Sequence, residues 1–333
     1  MFARALQLVT LASLVTSGLA CVSHSSTPMT GRVEVPLSER RIGQYISSGW
    51  SFDTSSFWIE GPEGVVVIDV QFLPSVAAEV IAAAERVTRK KVVAAIVLHA
   101  NPDKFNGTAT FQARGIEVWT AEQVLARIPE VFAKRTEAFA ERYAPDWPTS
   151  VPQPRSFGAA TTTLKLAGLE LKAHVLGPGC SPAHVVIQWE DHVFVGDLVA
   201  NKAHAWLEIG EPEAWLQRLA EIEAMQPKHV HPGRGRSGGP ELVADQREYL
   251  QTVLSLVAAE KPTLPPDPAA VLRVRAALER RYEGYRFPVF LEIGLPAVWR
   301  RMASGNATES APEGPAEVPG EEQSAGPGPT SRP

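Results

Sequence analysis

Two strongly apolar runs that end in polar residues constrain this chain most. The first, Gly64–Ile68, ends at Asp69, and the second, Val92–Leu98, ends at His99. β-Branched residues are prominent in both runs, as is typical of buried strands. Between the runs, a proline opens the segment 75–87, whose apolar residues recur at helical spacing. The order strand, helix, strand predicts an α/β fold with its chemistry at the strand ends.

The second half of the chain repeats this arrangement. The same criteria predict a further strand at 116–119 with a helix over 121–142, strands at 161–166, 169–176, 184–189, 192–195 and 229–231, and helices at 213–225, 240–259, 268–281 and about 290–302. Two rounds of strands with helices outside predict a four-layer αββα sandwich with extra C-terminal helices, over residues 36–302. The chain has 333 residues, 44% of them hydrophobic, which is enough for a substantial core.

The N-terminus has the pattern of an export signal. A positive start and a short apolar run occupy residues 1–20, and small residues precede Cys21. Ala20 directly before Cys21 resembles the lipobox of bacterial lipoproteins, which implies that Cys21 is the lipidated first residue. We therefore expect a lipid-anchored protein of the bacterial cell envelope, periplasmic or surface, with 21–35 as a tether. A secreted soluble protein and a cytoplasmic start are the alternatives.

The other end, residues 303–333, is rich in Pro, Gly, Glu, Ser and Ala and lacks large apolar residues, so it is predicted to be disordered. It carries five glutamates and one arginine, which account for most of the net charge of −5. The remaining body is nearly neutral, which argues against a nucleic-acid partner. With two cysteines, Cys21 and Cys180, a disulfide framework is excluded unless these two pair.

Five motifs, in this order, resemble landmarks of the metallo-β-lactamase fold superfamily of hydrolases. They are Val67-Ile68-Asp69, the loop His99–Gly107, Gly177-Pro178-Gly179-Cys180-Ser181-Pro182, Phe194-Val195-Gly196-Asp197-Leu198 and Val230-His231-Pro232-Gly233-Arg234-Gly235. The resemblance spans roughly residues 40–260 and implies two metal ions that bind and polarise a water molecule and the substrate. It also implies seven ligand positions.

Three of these seven positions keep the family residue: His99, Asp103 and Asp197. The other four, where histidines are expected, carry Asn101, Lys104, Cys180 and Arg234. Protonated Lys and Arg have no lone pair to offer a metal. Lys104 and Arg234 are instead predicted to pair with Asp103 and Asp197 in a charge cluster that replaces the second metal.

The first metal position keeps better donors. His99, Cys180 and Asp197 could hold one divalent metal weakly, zinc being the best match, with an open position for water. Asn101 is a degenerate ligand position. If the chain is active, Asp103 is its candidate catalytic residue. Asp69 is expected to hold backbone amides.

Other polar residues have alternative interpretations. Cys180 could be a thiol nucleophile activated by His99 or His184, although an inert thiol is the commoner case. His229 and His231 alternate on one strand and are predicted to face the surface rather than a metal. The remaining histidines at 174, 192 and 204 are expected to be surface or capping residues. The pair Trp206 and Leu207 is expected either to wall a ligand cleft or to pack in the core.

Two functions follow. The first is a catalytically silent, ligand-binding or partner-binding module, its partner being a small molecule or an envelope protein, because four of seven ligands are replaced. The second is a mononuclear metal-dependent hydrolase of an ester, lactone, amide or thioester that uses His99, Cys180 and Asp197. A shared fold cannot decide between them, since function depends on the site.

Overall fold

The computed structural model describes residues 31–36 and 39–309, without the side chains of 306–309. The predicted export signal, Cys21 and most of the tether lie outside the described residues, as does the end of the tail. The strands are β1 Arg32–Glu34, β2 Ile42–Ile46, β3 Ser55–Gly61, β4 Gly64–Ile68, β5 Val92–Ile96, β6 Glu117–Thr120, β7 Arg155–Ser156, β8 Thr162–Leu166, β9 Leu169–Leu176, β10 His184–Trp189, β11 His192–Ala200 and β12 His229–Arg234.

The strands form two mixed sheets. The first has the order β1-β2-β3-β4-β5-β6-β7, and the second has the order β12-β11-β10-β9-β8. In the first sheet, β1 to β4 pair antiparallel, whereas β4 to β7 pair parallel. In the second sheet only the β11 and β12 pair is parallel. Parallel neighbours need long crossover connections, and helices provide most of them.

The helices lie outside the two sheets. They are α1 Pro74–Thr88, α2 Pro102–Phe105, α3 Thr108–Gln112, α4 Glu122–Tyr143, α5 Pro212–Ala224, α6 Glu241–Ala259, α7 Pro268–Arg281 and α8 Val289–Glu309. α1 packs on β2 to β5, and α5 and α6 pack on β11, which places one helical layer on each sheet. The predicted α/β sandwich with extra C-terminal helices is confirmed. None of the described helices has the length and apolarity needed to cross a membrane.

The hydrophobic core follows from the strand sequences. All five residues of β4 are buried, as expected for a central strand covered on both faces. One apolar cluster joins α1 and the inner faces of both sheets, where Phe57 of β3 contacts Phe194 of β11 with ring centroids 5.5 Å apart. A second cluster lies between β11 and helices α5 to α8. Both clusters contain residues of β11, so this strand is packed on both of its faces.

Both predicted boundaries of the folded body need correction. Residues 32–34, predicted as tether, form β1 and pair with β2. At the other end, α8 continues to Glu309, past the predicted start of the disordered tail at 303, and Ala303 is buried. Apolar residues of α8, including Leu295 and Trp299, pack into the second cluster and hold this helix on the body.

Candidate functional site

The ends of strands from both sheets meet at one buried site. Asp69 directly follows β4, and His99 follows β5. The next residues turn into α2, because Pro102 at its first position fits the start of a helix. α2 carries Asp103 and Lys104, both of which are buried. The second sheet brings Asp197 from β11 and Arg234 from the end of β12.

Lys104 occupies the centre of this site. Its ammonium Nζ lies 2.9 Å from Asp197 Oδ1, 3.3 Å from Asp103 Oδ2 and 3.8 Å from Asp69 Oδ2. It also donates a hydrogen bond of 3.3 Å to the carbonyl oxygen of Gly233. The side chain is 0% exposed. A single cation is therefore surrounded by oxygen atoms, as a bound metal ion would be.

Arg234 bridges the same two carboxylates from the other side. Its Nη2 donates to Asp103 Oδ2 at 2.7 Å and to Asp197 Oδ2 at 3.2 Å, while Nη1 donates to the carbonyl oxygen of Phe52. Thr54 adds a hydrogen bond of 3.1 Å from Oγ1 to Asp103 Oδ2. The neighbouring Gly233 must be glycine, since a Cβ there would collide with Asp197. We call Asp103, Lys104, Asp197 and Arg234 the charge cluster.

The cluster keeps its members charged. Burial works against ionisation, but the two cations hold the pKa of Asp103 and of Asp197 below the usual range. Burial also opposes the charge of Lys104, yet the carboxylates of Asp197 and Asp103 raise its pKa. Two positive and two negative groups thus balance inside the protein, where an unpaired charge would be costly.

Asp69 is a third carboxyl group beside Lys104, and the cluster does not fully neutralise it. Its Oδ1 accepts a hydrogen bond from the backbone N–H of Leu98 at 2.9 Å, the role expected from the sequence. Burial raises the pKa of Asp69 to about 7, because the attraction of Lys104 at 3.8 Å is too weak to offset desolvation. Asp69 therefore carries a proton part of the time near neutral pH.

Next to the charge cluster lies a group of three buried donors. Cys180 Sγ is 3.9 Å from His99 Nδ1 and 3.9 Å from His184 Nε2. One donor atom from each of these three residues lies within 4.8 Å of the others. His184 was missed as a ligand candidate, although its place four residues after Cys180, beyond a proline turn, was a usable signal. It reaches the site because His184 and His99 form an isolated bridge between the sheets.

The three donors are neutral and shielded. Burial raises the pKa of the Cys180 thiol well above its usual value and lowers the pKa of His99 to about 4. Burial also lowers the pKa of His184, and its Nε2 accepts a hydrogen bond of 3.1 Å from the backbone N–H of Ser181. His99 Nε2 is buried without a hydrogen-bond partner, 3.8 Å from Asp197 Oδ2.

A cavity of about 220 Å³ opens above the charge cluster. Asp103 and Arg234 lie in its wall, together with Asn101 at the start of α2. The rest of the wall is mainly aromatic and aliphatic, with two further arginines: Phe52, Phe72, Pro102, Arg135, Phe139, Arg142, Trp206, Val289, Phe290 and Ile293. Trp206 therefore lines the cavity, whereas Leu207 is a core residue that is 2% exposed.

Three histidine predictions were wrong. His231 is not on the surface: it is buried between the sheets, with its ring 4.3 Å from that of Phe194. His192 is also buried, and its Nδ1 lies 2.9 Å from His231 Nε2. His204 is buried and hydrogen-bonds through Nδ1 to the Tyr249 hydroxyl at 2.9 Å. Residue spacing alone did not show that each ring has a polar partner in the interior.

The family comparison agrees with this geometry. The family model of the Metallo-beta-lactamase superfamily matches residues 50–266, more than half of the chain. The chain belongs to this superfamily. No curated protein matches the sequence. The matched range contains β3 to β12 and α1 to α6, whereas β1 and β2 precede it and α7 and α8 follow it.

Solved structures of metallo-beta-lactamases share the fold of this superfamily member. The enzyme from Pontibacter korlensis has 22% identity and a TM-score of 0.53, over 66% of this chain and 99% of that chain. FIM-1 from Pseudomonas aeruginosa, solved in a mono-zinc form, has 15% identity and a TM-score of 0.52, over 67% and 95%. DIM-1 has 14% identity and a TM-score of 0.54, over 67% and 98%. At these identities the likeness shows the fold alone.

The resemblance implied two metal positions, and the residues at each position decide whether a metal ion fits there. The second position does not fit, because Lys104 and Arg234 fill it with cations that have no lone pair. At the first position His99 and Cys180 are joined by His184, which gives a thiol and two imidazoles, all zinc-type donors. The predicted third donor, Asp197, pairs instead with Lys104 and Arg234. However, His99, Cys180 and His184 are each at most 1% exposed, whereas a catalytic zinc needs an open position for water.

Proposed function

We propose that this protein is a catalytically silent superfamily member whose cavity binds a small molecule. The single observation that carries the proposal is the ammonium of Lys104, 2.9 Å from Asp197 and 3.3 Å from Asp103. The hydrolytic chemistry of the family requires these two carboxylates to face a metal ion. Here they face a fixed cation that neutralises them but cannot deliver an activated water molecule.

The charge cluster has a structural purpose in this proposal. Two buried carboxylates at the strand ends would repel each other and resist ionisation without a counter-ion. Lys104 and Arg234 supply that counter-ion permanently, so the strand ends keep their spacing at any metal concentration. The cavity above them then has a stable floor.

The cavity wall indicates what kind of molecule would bind. It is mainly aromatic and aliphatic, which favours an apolar body. Arg135 and Arg234 are already engaged in salt bridges with Glu208 and the charge cluster. Arg142 instead lies over the rings of Trp50 and Tyr143, 5.1 Å and 5.5 Å from their centroids. We propose a small apolar ligand with an acidic group that Arg142 meets.

The N-terminal sequence supports a proposal for the location of the protein. We propose that the mature protein is held on the bacterial cell envelope by a lipid on Cys21, with the folded body outside the cytoplasm; release as a soluble secreted protein is the alternative. An envelope protein that inserts an apolar side chain into the cavity is the second kind of partner.

Binding of an aromatic sulfonate dye, 1-anilinonaphthalene-8-sulfonate, tests the ligand proposal. We expect the dye to bind with enhanced fluorescence and Ile293→Glu to abolish the enhancement, because the carboxylate repels the sulfonate. The matched control is Val93→Glu, because Val93 is 38% exposed and Ile293 is 41% exposed, but only Ile293 lines the cavity. Equal dye binding in the two variants would contradict the proposal.

Turnover tests the absence of catalysis. We expect no hydrolysis of ester, lactone, amide or thioester substrates above the level of the Asp103→Asn variant. Hydrolysis that Asp103→Asn removes would overturn the silent assignment.

The second candidate function is the mononuclear hydrolase, favoured by one observation: the donors of His99, Cys180 and His184 lie within 4.8 Å of one another. If a metal binds there, it supplies a Lewis acid, and His99 and Cys180 would hold it with His184 rather than Asp197. A stoichiometric metal that purifies with the protein and is lost in Cys180→Ala would favour this candidate.

A further inference from the structure

A second group of histidines lies at the start of two strands, away from the charge cluster. His192 opens β11 and His229 opens β12, and the two are direct partners in the parallel pair. Their rings stack with centroids 4.4 Å apart and planes 18° apart. Asp191 immediately precedes His192. One donor atom from each of the three residues lies within 4.8 Å of the others.

We propose that Asp191, His192 and His229 form a binding site for a divalent transition-metal ion of the zinc class. Two imidazoles and a carboxylate are common zinc ligands. Ligands of a tetrahedral zinc ion lie roughly 3.4 Å apart, given bonds of about 2.0–2.1 Å. His192 Nε2 is already 3.5 Å from Asp191 Oδ1, so only His229 must approach by a side-chain rotation.

A hydrogen-bonded chain behind His192 orients it for this role. His192 Nδ1 lies 2.9 Å from His231 Nε2, and His231 Nδ1 lies 2.8 Å from Ser237 Oγ. Two proton arrangements satisfy these bonds. In one of them, His192 donates to His231, which donates to Ser237, and the lone pair of His192 Nε2 then faces Asp191. Metal-binding histidines are typically held in this way by a partner on their other nitrogen.

Carboxylates and cations both surround the site. Glu34 and Glu39 line the same recess as His192 and His229, but Glu34 pairs with Arg236, which also lines it, and Glu39 pairs with Arg41. Lys228 Nζ, however, lies 3.1 Å from Asp191 Oδ2 and competes for that carboxylate. The Lys228 side chain is 76% exposed and can turn into solvent. A metal ion would therefore displace a surface lysine and no buried group.

This site is separate from the cavity. His192 and Asp197 lie five positions apart on β11, which corresponds to about 16 Å at roughly 3.3 Å per residue. The two sites also differ in chemistry, because the only thiol among the described residues, Cys180, lies beside the charge cluster. Metal binding at the two places can therefore be told apart spectroscopically.

Cobalt(II) titration of the full chain, followed by absorption spectroscopy, tests the proposal. We expect wild-type protein to bind cobalt at a site with ligand-field bands and without a thiolate charge-transfer band. His229→Ala should weaken this binding at least tenfold, and Ser237→Ala, which acts on His192 only through His231, should weaken it by a smaller factor. Lys228→Met should strengthen it, because the competing cation is removed. The matched control His174→Ala, which removes a half-buried histidine on β9, should bind as wild type does.

The proposal is overturned if His229→Ala and His174→Ala bind cobalt equally, or if all bound cobalt shows a thiolate band that Cys180→Ser removes. Circular dichroism checks that each variant is folded. Should His229→Ala unfold, Asp191→Asn serves instead, because Asp191 lies in a turn, and unchanged cobalt affinity in that variant also overturns the proposal.

Discussion

The ammonium of Lys104 lies 2.9 Å from a carboxylate oxygen of Asp197, with both side chains buried. Lys104 lies on α2, which follows β5 of the first sheet, and Asp197 lies on β11 of the second sheet. This ion pair therefore joins the two halves of the sandwich. The protein makes this junction with its own side chains, which has consequences for stability, for pH dependence and for metal binding.

Lys104→Met should destabilise the protein strongly. The variant keeps the size of the side chain but leaves Asp103 and Asp197 with Arg234 as their main counter-ion. Breaking a buried ion pair by removing one partner typically costs about 3–5 kcal/mol. Urea unfolding monitored by fluorescence measures the change. The control Lys165→Met removes a lysine that is 78% exposed and should alter the unfolding free energy by less than about 0.5 kcal/mol.

The raised pKa of Asp69 predicts a pH dependence of opposite sign to that of a salt-bridged carboxylate. Its pKa is about 7 in the folded protein and 3.8 as the ordinary value. Between these values the folded state binds a proton that the unfolded state has lost, so the contribution of Asp69 to stability falls as the pH rises from about 4 to about 7. Below 4 and above 7 this contribution no longer changes with pH.

Asp69→Asn isolates this effect, since asparagine does not titrate. The unfolding free energy of wild type minus that of Asp69→Asn should decrease from pH 4 to pH 7 and then level off. Unfolding curves at several pH values for both proteins provide the comparison. A difference that increases over this range would mean that Asp69 stays ionised in the folded state.

Cys180 should be an inert thiol. It is 1% exposed, and burial raises the pKa of its thiol well above the usual value, so little thiolate is present. In a Cys21→Ser background, the folded protein should not react with an aromatic disulfide reagent at pH 8, whereas one thiol should react after unfolding in guanidinium. Rapid reaction in the folded state would instead support the thiol nucleophile considered from the sequence.

The sequence predicted the fold well because its strands carry local signals. The β-branched run of β4, followed by Asp69, predicts a buried central strand without knowledge of any partner. The sequence also predicted the ion pairs of Lys104, since a lysine at a position that binds a metal in the family needs carboxylates such as Asp103 and Asp197 around it. By contrast, the place of His184 depends on a bridge to His99 in the other sheet, which no local spacing encodes.

The histidines of β11 and β12 show the same limit. Alternation correctly put His229 and His231 on one face, but which face is buried depends on the opposite sheet. Phe57 of that sheet packs on His231 with ring centroids 5.0 Å apart. Similarly, residues 303–309 have a composition typical of disorder, yet the helix that begins at Val289 extends through them.

Restoring the four histidines should convert the charge cluster into a metal site. In Asn101→His/Lys104→His/Cys180→His/Arg234→His, the two cations disappear, so Asp103 and Asp197 lose their counter-ions and the metal-free variant should be less stable than wild type. Zinc should then restore stability, because a ligand that binds only the folded state at 100 times its Kd adds about 2.7 kcal/mol. His229→Ala is included in both proteins compared, so that the site at β11 and β12 does not contribute. Thermal unfolding with and without zinc measures the gain, and isothermal titration counts the ions.

The parent protein, with His229→Ala alone, is the control. Because Lys104 and Arg234 occupy the metal position in the parent, we expect zinc to raise its Tm far less than that of the restored variant. Equal zinc stabilisation of the two proteins would show that these cations do not exclude a metal.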